Sequence, residues 1–383
     1  MSSGPAVERQ ERLPARDEVD EVVPGVLRIQ LPILLPGLGH VNCYVLEDER
    51  GVTLVDPGLP DPMTNTTLVQ RLRSIGIPAS RVHTVVVTHS HPDHFGGAGR
   101  LKVEHHCDVM AHRSFSTPFD APMEDDLRAL EAVTDDLTDG DDPDEVPVDG
   151  PYNPRLARVL YGTGEIPHFE PRSTPWGEAG FRPGIGELEA MRTWDDLSKQ
   201  GLLSLTPTVR VDDLEMVRLG RRDWQVIHTP GHTGDHICLF DPVDGVLLSG
   251  DHVLPTITPH ISGLTQSPDS LAEFVTALRR VAAIEGVTTV LPAHGLPFTD
   301  LPGRVDAIIE HHTERLAILE GIAADLGDAP VRDYSERLFQ ERSWGPMAES
   351  ETYAHLEHLM LTGRMRSHRD SDGRLHYVLA NAG

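Results

Sequence analysis

Residues 85–97 read VVVTHSHPDHFGG and set His89, His91, Asp93 and His94 within six residues at the end of an apolar run. Four polar, metal-competent side chains at one strand end serve no core, so the crowding calls for a chemical reason. Imidazole and carboxylate without thiolate suit zinc, iron or manganese. In an extended strand end, side chains two apart point to the same side, so His89 and His91 can chelate one ion. Pro92 then turns the chain, and Asp93 and His94 can face a second ion a few ångströms on. Three later segments repeat the pattern of a short apolar run ending in His or Asp. They are WQVIHTPGH, GVLLSGDH and VTTVLPAHG, which add His232, Asp251 and His294. Five imidazoles and two carboxylates are enough for two ions.

Strands and helices in alternation must carry these groups. HVNCYVLEDERGVTLVDPG (40–58) reads as a β-hairpin around EDERG, DPMTNTTLVQRLRSIG as a helix and HTVVVTHS as a strand. GAGRLKVEHH and CDVMAH then read as a helix and a short strand. This order predicts an α/β architecture, in which ligand-binding groups gather where strands give way to loops. The pattern breaks from about 113 to 206, where residues 120–149 hold 13 acids against the single base Arg128. That stretch reads as a mostly helical insertion, expected to cap the metal edge. Its aromatics, Tyr152, Tyr161 and Trp176 among them, are candidates to line an apolar substrate pocket. Strand-type alternation resumes at TVRVDDLEMVRLGRRDWQVIHTPGH. The last 80 residues show three helical stretches and a hairpin around DSDG, an order that suggests a winged-helix-like module with a structural or dimerising role.

Bulk properties narrow the function. A formal net charge of −27, from 60 acidic and 33 basic residues, opposes phosphate backbones and anionic membranes, so nucleic acid is a disfavoured partner. Cys43, Cys107 and Cys238 are odd in number and far apart, which suits a reducing interior. Residues 1–20 are polar, without the apolar core of a signal peptide, and read as a disordered tail. No run reaches the length of a membrane span. The expected location is cytoplasmic, and the expected partner a small-molecule substrate, with a homodimer compatible.

THSHPDH resembles the HxHxDH signature of the metallo-β-lactamase superfamily, and TPGHTGDH, SGD and PAHG are similar to its later ligand motifs in the same order. The resemblance covers roughly residues 22–300. It implies a four-layer αβ/βα sandwich with a dinuclear site at one edge, over 21–300, followed by the C-terminal domain at 301–383. It implies that His89, His91 and His232 bind one divalent ion, that Asp93, His94 and His294 bind a second, and that Asp251 bridges them. It places Asp56, in TLVDPG, as an acid that orients a ligand. His236 reads as structural, and His252 and His260 as neighbours able to touch substrate. Zinc is the expected metal, with iron or manganese as alternatives. The implied chemistry is hydrolysis by a metal-bridging hydroxide, with Asp93 orienting it and carrying its proton.

Within such a superfamily the fold leaves the substrate open. Asp251 in place of a cysteine ligand points away from a true β-lactamase and toward the glyoxalase II-like, lactonase-like and nuclease-like branches, among which the leading reading is hydrolysis of an ester, thioester or lactone. The alternatives are a phosphodiesterase or ribonuclease, which the acidic charge opposes, and an iron-dependent sulfur dioxygenase.

Overall fold

The computed structural model describes residues 9–33, 37–117, 174–177, 197, 200–265 and 267–380. Its first sheet has seven strands laid side by side in chain order: β1 (Asp20–Val23), β2 (Val26–Pro32), β3 (His40–Glu47), β4 (Val52–Val55), β5 (Val82–Val86), β6 (Asp108–His112) and β7 (Val209–Val211). Pairing is antiparallel up to β4 and parallel from β4 to β7. A second sheet takes β8 (Met216–Leu219), β9 (Arg222–His228), β10 (Ile237–Asp241), β11 (Val246–Gly250) and β12 (Thr289–Pro292), in the order β12-β11-β10-β9-β8.

The side-chain alternation of the strands makes this a sandwich. Along β10, Ile237 and Leu239 face the other sheet and meet its Val55 and Val86 in a core that Trp224 of the neighbouring β9 also joins. Cys238 and Phe240 point the opposite way, into a core with helix α4 (Ser270–Ala282). Along β5, Val85 turns outward toward α1 (Pro62–Ser74) and α3 (Ala98–His105), while Val86 turns inward. The inner strands are therefore covered on both faces, and β4, β10 and β11 are buried throughout, whereas β8 and β9 toward the sheet edge alternate. The layers are helix, sheet, sheet, helix, the predicted sandwich.

Local chemistry starts the helices where they are needed. Asp61 caps α1, its carboxylate accepting from the amides of Met63 and Thr64, with Pro62 in the first turn. Asp269 accepts from the amide of Ala272 at the start of α4.

The C-terminal residues form α5 (Leu301–Leu326), α6 (Val331–Leu338) and α7 (Pro346–Leu361), with β14 (Met365–Arg369) and β15 (Leu375–Leu379) as the expected hairpin. A two-residue strand, β13 (Ala329–Pro330), pairs with β15. These elements share one apolar core with the second sheet, in which Phe274, Ile308, Tyr334 and Tyr377 are packed together. No described helix is long and apolar enough to cross a membrane.

The expected tail needs correction. Residues 10–12 form a 3₁₀ turn, and the buried Glu11 accepts from the amides of Thr256 at 2.7 Å and Ile257 at 3.0 Å. A carboxylate that satisfies two loop amides anchors a segment whose composition alone reads as unstructured. Most of the 113–206 insertion, with Tyr152 and Tyr161 and the cap expected there, lies outside the described residues.

Candidate metal centre

The second sheet aims three segments at one edge. β9 runs parallel to β11 because both pair antiparallel with β10, and β11 is parallel to β12. All three strands therefore end on the same side, followed by His232, Asp251 and His294 respectively. β5 delivers Thr88 and His89 to that edge from the first sheet, and His91 precedes the one-turn helix α2 (Pro92–Phe95), which carries Asp93 and His94.

The structure brings all seven predicted residues together. Donor atoms of His89, His91, His232 and Asp251 lie within 4.8 Å of one another, as do those of Asp93, His94 and His294. Asp251 Oδ2 stands 3.5 Å from both His94 Nε2 and His232 Nε2, and Asp251 Oδ1 stands 3.2 Å from His294 Nε2. Asp93 Oδ2 lies 3.4 Å from His94 Nε2 and 3.5 Å from His294 Nε2. Asp251 thus touches residues of both groups.

Each of four imidazoles is held by one nitrogen and presents the other. His94 Nδ1 is 2.9 Å from Asp56 Oδ2, His232 Nδ1 is 2.7 Å from the carbonyl of His260, and His294 Nδ1 is 2.6 Å from the carbonyl of His40. His89 Nδ1 lies 3.1 Å from Thr88 Oγ1. The inward Nε2 atoms of His94, His232 and His294, and Asp251 Oδ1, are buried without any hydrogen-bond partner. Stranding four buried polar atoms at one point is expensive for a folded chain. A cation that accepts all their lone pairs removes the penalty, so the donor set fits a bound metal. Its nitrogens and oxygens, with no sulfur, match zinc, iron or manganese.

Electrostatics follow the same geometry. Burial pushes the His94 and His294 rings down, but the carboxylates beside them prevail and raise both. Burial also opposes the charge on Asp93 and Asp251, yet the facing imidazoles hold Asp93 at about 2 and Asp251 well below the ordinary carboxylate range. His91 is driven down to about 3 by burial and by His232. Both carboxylates are therefore anions at neutral pH, as ligands must be.

Outside the cluster the expectations meet mixed outcomes. Asp56 sits where an orienting acid is needed, accepting from the Thr88 amide at 2.9 Å and hydroxyl at 2.7 Å as well as facing His94. Its backbone takes φ 56°, a left-handed conformation that aspartate tolerates. His236 is a scaffold: its Nδ1 meets Thr229 Oγ1 at 2.7 Å, and its Nε2 accepts from the amide of Asp251 at 3.0 Å. Gly250 permits this approach, since at its φ of 52° a Cβ would stand 2.6 Å from His236 Nε2. His252 differs from the substrate-facing expectation: it is fully buried, its ring edge-on to Phe274 at 5.1 Å. His260 contributes its carbonyl to His232, while its ring lies 3.4 Å from Glu351 Oε2. Trp176 is buried in the C-terminal core, donating to Glu349 Oε2 at 3.2 Å and packing on Tyr353, and no described contact joins it to the seven.

Several supports were not anticipated. His40, Asn42 and Tyr44 on β3 reach the loop that carries His294: Asn42 Nδ2 donates to the carbonyls of Pro292 and Gly295, and Tyr44 donates to Pro292. Polar side chains inside the buried strand HVNCYV are the one sequence signal that points to them. Ser90, between His89 and His91, donates to Asp235 Oδ1 at 3.0 Å, and burial pushes that carboxyl up to about 6.

Comparison with known proteins accords with this arrangement. Residues 36–294 match the family described as Metallo-beta-lactamase superfamily. The chain is 26% identical over 301 residues to "Probable metallo-hydrolase YqjP" of Bacillus subtilis, covering 76% of each. A shorter match, 29% identical over 132 residues, covers 33% of this chain and 40% of "Atrochrysone carboxyl ACP thioesterase AgnL7" of Paecilomyces divaricatus. Among solved structures, a beta-lactamase domain protein from Burkholderia ambifaria is similar with a TM-score of 0.68 at 26% identity, covering 97% of this chain and 96% of that one. A metallo-beta-lactamase family protein of Thermus thermophilus has the same fold, with a TM-score of 0.67 at 23% identity over 93% of this chain and 99% of that one.

Proposed function

The chain belongs to the metallo-β-lactamase superfamily, and on that premise we propose that it is a dinuclear metal-dependent hydrolase of an ester, thioester or lactone. The observation that carries this reading is the convergence of seven donors, six of them buried and several with no other partner. His89, His91 and His232 would hold one ion, Asp93, His94 and His294 the other, and Asp251 both, with zinc the favoured metal. Two divalent cations held there supply a Lewis acid for the acyl oxygen and a water acidified to near neutrality.

The chain's own residues do the rest. Asp93 turns Oδ2 toward His94 and His294, which leaves Oδ1 to take a proton from the attacking water. Water adds at the acyl carbon, the C–O or C–S bond breaks, and the proton on Asp93 departs with the alcohol or thiol. Asp56, His40 and His260 keep the imidazoles in one tautomer, so the ligands need no rearrangement during turnover. A thioesterase among the similar proteins, and a net charge of −27 that opposes polyanions, support an acyl substrate over a phosphodiester.

The test combines elemental analysis of protein purified without added metal with a hydrolysis screen. About two transition-metal ions per chain and turnover of thioesters, esters or lactones are the expected outcome. One ion or none under metal-replete conditions rejects the dinuclear reading. Activity confined to phosphodiesters rejects the acyl substrate.

A further inference from the structure

A second set of donors meets on the C-terminal sheet, far along the chain from the strand-edge cluster. His368 on β14 and His376 on β15 are paired directly across the hairpin, so both rings leave the same face. Their centroids are 5.5 Å apart. Asp328 precedes β13, whose Pro330 pairs with His376, and this register brings its carboxylate up to the two rings. Asp328 Oδ2 lies 3.4 Å from His368 Nε2, and Asp328 Oδ1 lies 3.5 Å from His376 Nδ1.

Those separations are long for N–H···O hydrogen bonds, whose usual range ends near about 3.2 Å. They are close to the edge of a tetrahedron, about 3.3–3.4 Å, built on zinc–ligand bonds of about 2.0–2.1 Å. The same spacing recurs among the donors of the strand-edge cluster, at 3.4 and 3.5 Å. His376 Nδ1 is buried and lacks a hydrogen-bond partner. The other nitrogen of that ring, Nε2, lies 3.3 Å from Asp370 Oδ2. A carboxylate facing one imidazole nitrogen favours the proton there electrostatically and leaves the second nitrogen to offer its lone pair.

We propose that Asp328, His368 and His376 form a third metal site, separate from the hydrolytic pair, for a divalent transition-metal ion such as zinc or nickel. Two imidazoles and one carboxylate without thiolate select that class, whereas calcium and magnesium want an all-oxygen shell. Asp328 and His368 are half-exposed, so the ion enters from solvent and water completes its coordination. Its effect is mechanical: it ties the segment leading into α6 to the β14–β15 hairpin, beside the two-residue strand and the Tyr334–Tyr377 hydrogen bond that already join them. The site does not depend on the hydrolase reading and is tested on different residues.

The experiment is calorimetric titration of the full chain with zinc after chelator treatment, wild type beside His368→Gln/His376→Gln. One equivalent, bound more weakly than the rest, should vanish in the double variant while the other equivalents and the turnover of the reloaded enzyme stay as in wild type. An unchanged number of equivalents overturns the proposal. Should the double variant fold poorly, nickel added to the wild-type chain gives a second reading. Paramagnetic broadening of the amide signals of residues 328 and 367–377 is expected, and its absence overturns the proposal equally.

Discussion

Two groups of buried histidines in this protein lead different lives. At the strand edge, His94, His232 and His294 each fix Nδ1 on a carboxylate or a carbonyl and turn Nε2 toward Asp93 and Asp251. Between helices α5 and α7, His312 and His355 are just as buried, but His312 Nδ1 faces His355 Nε2 at 3.0 Å, and His355 Nδ1 meets the carbonyl of Glu351 at 2.7 Å. The nearby carboxylate of Glu351 is committed elsewhere, to Arg315 and to the ring of His260. Burial and mutual repulsion hold His312 down to about 3, and burial holds His355 down to about 4, so both stay neutral. At the strand edge the carboxylates reverse that tendency for His94 and His294, while His89, His91 and His232 stay lowered by burial. Burying imidazoles together does not make a metal centre; converging anions do.

The sharpest way to break the contrast is to remove an anion from the strand edge. Asp93→Asn is nearly isosteric, and it should lower turnover by about 10²–10⁴-fold, the range of a positioned proton-transfer group, while circular dichroism stays that of wild type. Near-normal turnover by the metal-loaded variant would remove Asp93 from the chemistry. Stripping with a chelator should abolish turnover, and divalent metal should restore it.

Next in size come the groups that hold ligands without touching the cluster. Asp56→Asn exchanges the anion facing His94 Nδ1 for a neutral amide and should weaken one metal equivalent by about 10–100-fold. Glu351→Gln lies one step further out. It acts through the ring of His260, whose carbonyl holds His232, and a loss in turnover of no more than about tenfold is expected. Stopped-flow release of metal to a chromophoric chelator reads both. If Glu351→Gln releases metal faster than Asp56→Asn, the ranking of these supports is wrong.

How much of this could be read beforehand depends on the distance over which each role is written. The seven candidate ligands stand at strand ends in short motifs, and the chemistry demands particular residue types, so they were legible. The inner strands around them were legible as apolar runs because both of their faces are covered. His40, Asn42 and Tyr44 were not: Asn42 and Tyr44 donate to backbone carbonyls of a loop about 250 residues away, and His40 offers its own carbonyl to His294, contacts for which sequence leaves no residue-type signature. Glu11 escaped for the same reason, its partners being amides at 256 and 257. The role of His260 also eluded the reading, since a backbone carbonyl is common to every residue. β1, β2 and β10 and the amphipathic α4 went unassigned because no chemical motif drew attention to them.

The smallest effect sharpens the contrast from the helical side. The folded His312 ring is pressed down to about 3, against an ordinary 6.5 in the unfolded chain. Above pH 6.5 neither state carries the proton, and the neutral ring imposes no pH dependence. As pH falls below 6.5 the unfolded chain takes up a proton that the folded chain refuses, so stability declines until about pH 3, where the folded ring is protonated too. His312→Phe removes the titrating group and keeps an aromatic ring beside Phe274, which now lies edge-on to it at 5.7 Å. At pH 8 the variant should be less stable, because it leaves His355 Nε2 without its partner. Between pH 6.5 and 4.5 that deficit should shrink by about 1 kcal/mol per pH unit, since one group contributes at most about 1.4 kcal/mol per unit. Urea unfolding of both proteins across this range isolates the difference from the titration of the strand-edge cluster, which they share. A pH-independent difference would mean that the folded protein and the unfolded chain bind the His312 proton alike, and burial would then not be holding the ring neutral.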